Sequence, residues 1–345
     1  MNPQKFWIFC TILFIATLGT ARAEPTFSKT STPKARIAIA EHTGATEMFL
    51  PKADVVPDLF RNGLLHFTGT KTETDAWRTM VSTNDTIGIK VFSSPGANSG
   101  TRPAVVAALI ESLLRTGITP DNIIVWDKEY SDLRRAGFTA FEHQYKVRVA
   151  ASSQFGWDEN VFYETSIIGT PVWGDLEFGR KGDQIGRKSY VTKLLTAQIT
   201  KIISVTPLLN HNLSGVAGHL YSLSLANVDN SVRFDYRRER LETAVPEIVG
   251  LPEIFDRLVL NITDALICQY QGEQRTLLHY STALDQLWFS KDPVALDVLA
   301  LTELERQRRL AGKFSREFKT ELYSNASLLE LGVSDMTRIT VDSAK

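Results

Sequence analysis

Short runs of apolar, β-branched residues alternate along this chain with polar loops and with segments of helical periodicity. The clearest example begins with a predicted strand from Thr86 to Phe92, which is followed by a polar loop, Ser93 to Gly100. A predicted helix then starts at Pro103, because proline is favoured in a first helical turn, and ends at Gly117. The next apolar run, Asn122 to Trp126, predicts another strand. This order is typical of a βαβ unit with parallel strands and a right-handed crossover.

The rest of the chain repeats this style less regularly. The other predicted strands are Arg36 to Ala40, Val147 to Ala151, Ser166 to Val172, Lys201 to Val205 and Leu258 to Thr263. The other predicted elements are a polar turn or hairpin, Gly174 to Gly186, and two helices, Val294 to Arg308 and Ser315 to Leu331. No repeat or linker divides the sequence. We therefore predict a single α/β domain, residues 24–345, with a mainly parallel sheet, helices on both faces in Rossmann-like layering, and an irregular insertion in the middle.

The N-terminal residues 1–23 have the pattern of a secretory signal peptide. Lys5 precedes an apolar stretch, Phe6 to Thr20, which is too short for a membrane span. Ala21-Arg22-Ala23 then forms a small-x-small cleavage site. We expect cleavage after Ala23 and a soluble periplasmic or secreted protein; an uncleaved anchor helix is the alternative.

Charge and cysteine content exclude several classes of partner and cofactor. Removing the predicted signal takes away Lys5 and Arg22 and no acidic residue, so the formal charge changes from −1 to −3. This balance predicts neither nucleic-acid binding nor stable membrane insertion. Only Cys268 remains, within an apolar run, so we expect a buried, inert thiol, no internal disulfide and no iron–sulfur cluster.

The segment from Lys201 to His219 is the strongest candidate for a binding site. Its strand is expected to stop at Pro207, because proline cannot donate to a sheet ladder. The polar and glycine residues that follow are His211, Asn212, Ser214, Gly215, Gly218 and His219. In open α/β sheets ligands bind where strands end, so Gly215 and Gly218 are predicted to contact a ligand. His211 and His219 lack the spacing of two ligands on one helix face, so we retain His211.

A second candidate site precedes the first clear helix. Ser94, Thr101 and Arg102 offer hydroxyls, a cation and a helix start, which together resemble an anion or phosphate seat. The alternative is an ordinary loop in which Thr101 caps the helix. Lys90 lies inside an apolar strand and therefore needs a partner, which Asp127 could supply from the neighbouring strand.

Three aspartates, Asp127, Asp264 and Asp292, close strands or open helices and are expected to face one edge of the sheet. With His211 they would form either a metal site, for which His211 and Asp264 are the predicted ligands, or an acid/base set. The predicted catalytic residues are Lys90, Asp127 and His211. In the alternative, each aspartate is a helix cap or turn former.

The chain resembles the domain-of-unknown-function family 362, a broad prokaryotic family. The similar segments occur in the expected order between about Asp85 and Leu301: GIKVF with TRPAVVAALIESLL, IIVWD with LRRAGF, PLLNHNLSGVAGHL, NITDAL and SKDPVALD. The resemblance implies functional positions at Lys90, Arg102, Asp127, His211, Gly215, Gly218, Asp264, Asp292 and Asp297. Some members are fused to iron–sulfur modules, which implies a redox partner.

The chain departs from the family pattern where the family carries cations. The family has a lysine in place of Leu209, a Lys-Asn pair in place of Tyr221-Ser222, and a histidine near Asp235. Losing these cations removes groups that could hold an anionic ligand or cofactor. The first hypothesis is an exported, enzyme-like protein whose cleft binds a small anionic or metal-associated ligand, with chemistry that is either redox or acid/base. The alternative is a non-catalytic periplasmic ligand-binding or accessory protein that has lost an ancestral activity. Carbohydrate binding through Trp157 and Trp173 is a third hypothesis. The cofactor stays open, with a metal ion as one candidate.

Overall fold

A computed structural model describes residues 34–313 and 317–344, which belong to one compact unit. The strands are β1 Ala35–Glu41, β2 Thr46–Glu47, β3 Leu50–Pro51, β4 Ile87–Val91, β5 Ile123–Asp127, β6 Arg148–Ala151, β7 Trp157–Glu164, β8 Lys188–Thr192, β9 Lys201–His211, β10 Gly215–Val216, β11 Leu258–Gln269, β12 Ser281–Ser290 and β13 Ile339–Ser343. The predicted signal peptide, residues 1–23, lies outside the described residues.

The helices connect these strands and cover the sheet. They are α1 Val56–Thr68, α2 Glu73–Arg78, α3 Pro103–Arg115, α4 Tyr130–Arg135, α5 Phe141–Gln144, α6 Ser152–Phe155, α7 Lys193–Ala197, α8 His219–Leu225, α9 Val232–Asp235, α10 Arg238–Val249, α11 Pro252–Phe255, α12 Pro293–Leu310 and α13 Glu321–Leu328. Among the described residues, none of these helices is long and apolar enough to cross a membrane.

The main sheet has nine strands and is mostly parallel, which confirms the predicted α/β fold. Its order is β13-β1-β12-β11-β9-β4-β5-β6, and β10 pairs with the end of β9. Strands β11, β9, β4, β5 and β6 are all parallel neighbours, whereas β12 runs antiparallel to both β1 and β11. Separate hydrophobic clusters lie on the two faces, one under α8, α10 and α12 and the other under α1 and α3.

The predicted βαβ unit is present as β4, α3 and β5. Lys90 of β4 lies beside Trp126 of β5 on one side and beside Ser204 of β9 on the other. The chain therefore leaves β4 first toward β5 and later returns to the opposite side at β9. Such a reversal of strand order creates a crevice at the carboxyl ends of the strands.

Two predicted elements and one predicted strand end are wrong. Ser166 to Val172 is not a strand; β7 precedes it and pairs with β8 across the insertion. Pro207 lies within β9, because β4 ends opposite Val205 and β9 then pairs with a parallel strand on one side only, where a missing N–H is tolerated. Of the last predicted helix, Ser315 to Leu331, residues 315–316 lie outside the described residues, and the helix of the described part spans Glu321–Leu328.

Candidate functional site

Lys90 and Asp127 form an ion pair inside the protein, as their neighbouring strands predict. Lys90 is fully buried, and its Nζ donates to Asp127 Oδ1 at 2.8 Å, to Ser222 Oγ at 2.9 Å and to Val91 O at 2.5 Å. Asp127 Oδ2 also accepts hydrogen bonds from the backbone and the hydroxyl of Ser93, both at 2.7 Å. The pair is thus satisfied by protein groups alone.

In its ammonium form, Lys90 cannot act as a general base for Ser222 in the observed arrangement. An ammonium group has three donors and no acceptor, and all three donors of Lys90 are used. Burial lowers the pKa of Lys90, and the charge of Asp127 opposes this shift. The predicted catalytic role of Lys90 and Asp127 therefore remains a prediction, and their observed role is structural.

In the predicted anion-binding loop, Thr101 and Arg102 are likewise bound to other groups of the protein. Arg102 is 2% exposed; its backbone N–H donates to Asp264 Oδ2 at 3.0 Å, and its Nη1 lies 2.9 Å from Asp264 Oδ1. The Thr101 hydroxyl accepts from Phe92 N and donates to Val205 O, so it links β4 to β9 and does not cap α3. Of the three predicted residues, Ser94 lines a cavity at this edge of the sheet.

His211 is buried and neutral. The backbone N–H of Ser214 donates to its Nδ1 at 3.1 Å, so the ring proton must reside on Nε2. Burial lowers the pKa of His211 to about 4. Its ring packs against Tyr221, with ring centroids 4.4 Å apart. The hydrogen bonds of Lys90 go to Asp127 and Ser222, not to His211. In this geometry neither ring nitrogen offers a free lone pair to a metal.

The predicted metal ligands His211 and Asp264 have separate partners, since Asp264 is bound to Arg102. Within residues 34–313 and 317–344, no group of three or more histidine, cysteine or acidic side chains is placed to hold a metal ion. Asp292 lies at the opposite edge of the sheet from Asp264. Strand β12 is antiparallel to β11, so its last residue, Ser290, lies beside Asn261 near the start of β11. It caps α12 through Ala295 N, at 2.8 Å, as the alternative interpretation predicts.

Gly215 and Gly218 are needed for packing. A Cβ on Gly218 would lie 2.1 Å from Oδ1 of Asp297, and a Cβ on Gly215, which has φ of +89°, would lie 2.5 Å from Leu301 Cδ2. Asp297 is buried and accepts the backbone N–H groups of His219 and Leu220 at the start of α8. The glycines of this segment therefore let α12 approach α8, and their predicted ligand contacts remain untested.

His219 lies at the centre of a buried hydroxyl network that the sequence did not reveal. Its Nδ1 is 2.8 Å from Ser204 Oγ, and its Nε2 is within 3.3 Å of the hydroxyls of Thr206 and Thr263. Burial lowers the pKa of His219 to about 3. The fold therefore requires a neutral ring at this position.

We expect His219 to make the protein sensitive to acid. The unfolded state binds the proton near pH 6.5 and the folded state only near pH 3, so the free energy of unfolding falls as the pH is lowered between these values. The slope from one proton is at most about 1.4 kcal/mol per pH unit. His211 acts in the same direction, whereas Asp297, whose pKa burial raises to about 7, acts in the opposite direction below pH 7.

Urea unfolding of the wild type and of His219→Gln between pH 7 and 4 isolates this contribution. The variant keeps a hydrogen-bonding side chain but loses the titrating group, so its stability should depend less steeply on pH. Parallel curves for the two proteins would contradict the assignment of the slope to His219.

Leu209 and Tyr221 stand at two of the positions where the resemblance to the domain-of-unknown-function family 362 predicts cations. Leu209 is fully buried in the core, and Tyr221 is 6% exposed. The Tyr221 ring contacts both His211 and Phe92, and its hydroxyl donates to Asp235 at 3.1 Å. The loss of cations at these two positions stays a prediction from the resemblance.

A cavity of about 160 Å³ lies at the carboxyl ends of β4 and β5, in the crevice that the strand order predicts. Its apolar wall comprises Phe92, Tyr221, Leu225 and Ala226. Its polar wall comprises Ser94, Asp127, Lys128, Glu129, Asp132, Ser222, Ser231 and Asp235. A second cavity of about 250 Å³ shares Lys128 and Glu129 with the first and is lined also by Trp157, Trp173 and Asp175. We call the two cavities together the β5 cleft.

Several residues of the β5 cleft were missed by sequence reasoning. Lys128 and Glu129 follow directly after β5, so their position at a strand end was a usable signal. Asp235 gives no such signal, because the sequence around it is rich in basic residues. Trp173 was weighed only for carbohydrate binding; it is 87% exposed, whereas Trp157 is buried and donates to Gly174 O.

Comparisons with known proteins add little to this description. No family model and no curated protein matches the chain. A crystal structure of a protein from Thermotoga maritima is similar to 78% of this chain, with 11% identity and a TM-score of 0.41. The match spans 61% of that structure. A likeness this distant carries no argument about function, and the resemblance to the domain-of-unknown-function family 362 stays a prediction.

Proposed function

We propose that this protein binds a small organic amine in the β5 cleft without transforming it. The observation that carries the proposal is an excess of carboxylates that face aromatic side chains. It favours the non-catalytic alternative from the sequence, with a cationic rather than an anionic ligand. If the predicted signal peptide is functional, this binding takes place in the periplasm or outside the cell.

The charge balance of the cleft is negative after internal pairs are subtracted. Asp127 is paired with Lys90, and Asp132 with Arg135 at 2.7 Å. Four carboxylates remain, those of Glu129, Asp175, Asp229 and Asp235, and Lys128 is the cation that faces them in the cleft lining.

The ammonium group of Lys128 is hydrogen-bonded to other protein groups. Its Nζ donates to Asp229 O at 2.9 Å and to Ser231 Oγ at 2.8 Å. Burial lowers the pKa of Lys128, which disfavours its ammonium form. Burial also raises the pKa of both Asp175 and Asp235. A ligand ammonium would stabilise these ionised carboxylates, because an opposite charge nearby favours the charged form.

The apolar wall suits the body of such a ligand. Phe92 and Tyr221 meet edge to face with ring centroids 6.1 Å apart, and Leu225 completes this side. Aromatic faces attract ammonium groups, and they also bury apolar surface. The two walls together favour a compact molecule with one protonated amine and an apolar body.

Calorimetric titration with 2-phenylethylamine and with 3-phenylpropionate tests the proposal, because the two probes are similar in shape and opposite in charge. We expect measurable binding of the amine and at least about tenfold weaker binding of the carboxylate, a difference of ~1.4 kcal/mol. Amine affinity should rise with pH as the cleft carboxylates ionise, and burial moves this rise above their ordinary pKa of 3.8.

Asp235→Asn should weaken amine binding by about tenfold, because it removes one of the unpaired charges and keeps the shape of the side chain. Asp121→Asn is the matched control, since Asp121 is exposed and lies before β5, at the other edge of the sheet. Equal effects of the two substitutions, or equal affinity for the two probes, would refute the proposal.

A further inference from the structure

A third cavity, separate from the β5 cleft, lies at the carboxyl edge of the sheet and is lined mainly by cationic side chains. Its volume is about 290 Å³, and it lies just after the ends of β9 and β11, at Asn212 and Gln271. Four cationic side chains line it: Arg238, Arg308, Lys313 and Lys319. We call this cavity the basic groove.

Arg308 is held in a defined orientation on one wall of the basic groove. Its Nε donates to the backbone carbonyl of Tyr270 at 2.8 Å, and its guanidinium carbon lies 4.2 Å from the centre of the Phe318 ring. A guanidinium that is fixed at Nε and stacked on a ring keeps its two terminal nitrogens for another acceptor. Arg308 is thus arranged before any ligand arrives.

Arg238 is held in a similar way on the facing segment. Its Nη2 donates to the carbonyl of Asn212, directly after β9. The two arginines therefore approach the groove from α10 and α12, which are distant in the sequence. Carboxylate and phosphate oxygens match the fork of donors that such guanidinium groups present.

The cations of the groove lack carboxylate partners in the described parts of the chain. None of the four forms an ion pair within 4 Å. The one acidic residue of the lining, Glu317, is 3.4 Å from Arg309.

Nearby acids outside the lining are bound to backbone groups. Glu305 accepts from Phe318 N at 2.6 Å, and Glu273 accepts from Asn212 N at 2.8 Å. Glu242 interacts with Arg238 and Lys319 at longer range, and Glu305 with Arg308. Among the described residues, these carboxylates stay beyond ion-pair distance of the four cations.

We infer that the basic groove binds a small polyvalent oxyanion through Arg238 and Arg308, with the lysines adding attraction. Its ligand carries two or more carboxylate groups or a phosphate group. This site is separate from the β5 cleft and does not depend on the function proposed for that cleft.

Calorimetric titration with citrate, inorganic phosphate and acetate tests the inference. We expect citrate or phosphate to bind at least tenfold more tightly than acetate, and added salt to weaken the binding. Tighter binding of citrate identifies an organic polycarboxylate as the preferred class, and tighter binding of phosphate identifies a phosphate group. Failure of both polyvalent anions to bind more tightly than acetate overturns the inference.

Arg308→Met and Arg238→Met should each weaken the preferred anion by at least tenfold. Arg78→Met, at an exposed position in the last turn of α2, is the matched control and should leave it unchanged. Asp235→Asn should also leave anion binding unchanged, so that failures of the two proposed sites are distinguishable. Equal anion affinity in Arg308→Met, Arg238→Met and Arg78→Met would overturn the inference, and circular dichroism verifies that each variant is folded.

Discussion

Replacing Lys90 with methionine should lower the free energy of unfolding by about 3–5 kcal/mol, as is typical when one partner of a buried ion pair is removed. Methionine fills similar space but leaves Asp127, which is 5% exposed, without its cation. Ser93 still donates two hydrogen bonds to Asp127, but neither supplies a charge. Urea unfolding of the purified variant measures the loss.

A double-mutant cycle separates the ion pair from the packing of the side chain. Lys90→Met combined with Asp127→Asn should cost at least about 1 kcal/mol less than the sum of the single substitutions, because the second removes the unpaired charge. Lys52→Met is the matched control: its pair with Glu47 is exposed and should contribute about 0–1 kcal/mol. A Lys90→Met protein as stable as Lys52→Met would contradict the structural role.

Gly218→Ala should destabilise the fold by about 3 kcal/mol or more. The added Cβ would lie 2.1 Å from Asp297 Oδ1, so the buried carboxylate has to move away from the start of α8. That movement breaks its hydrogen bonds to His219 N and Leu220 N, which are 2.7 and 3.0 Å long. Hydrogen bonds to a charged group contribute about 1.5–3 kcal/mol each, so the full loss is expected above pH 7, where the Asp297 carboxyl is ionised.

Two further variants distinguish this clash from ordinary glycine strain. Gly69→Ala has a positive φ of +69° and no atom within 4 Å of the new Cβ, so it should cost only about 1–2 kcal/mol. Adding Gly218→Ala to Asp297→Ala should cost little more than Asp297→Ala alone, because the clashing oxygen is absent. Wild-type stability in Gly218→Ala, together with lost ligand binding, would instead support the predicted ligand contact.

The sequence was a good guide wherever the deciding interactions are local or lie on neighbouring strands. The β4–α3–β5 unit could be read directly, because apolar periodicity and Pro103 act within a few residues. The partner of Lys90 could also be predicted, since a charge in an apolar strand needs a counter-charge and Asp127 closes the adjacent strand. The same reasoning left Arg102 without its partner, because nothing local links it to Asp264, 162 residues away.

The tertiary structure alone decided the chemistry of the two cavities. The β5 cleft combines Phe92, Lys128, Tyr221 and Asp235 from separate segments, and the basic groove brings together Arg238 and Arg308. A charged residue looks the same in the sequence whether it faces solvent, a counter-ion or a cavity. By itself, the amino-acid sequence determined the α/β architecture and the buried Lys90–Asp127 pair, because the hydrophobic effect and the desolvation of charge act on every segment that is buried. Packing between distant segments determined which charges were left unpaired, and therefore where a ligand can bind.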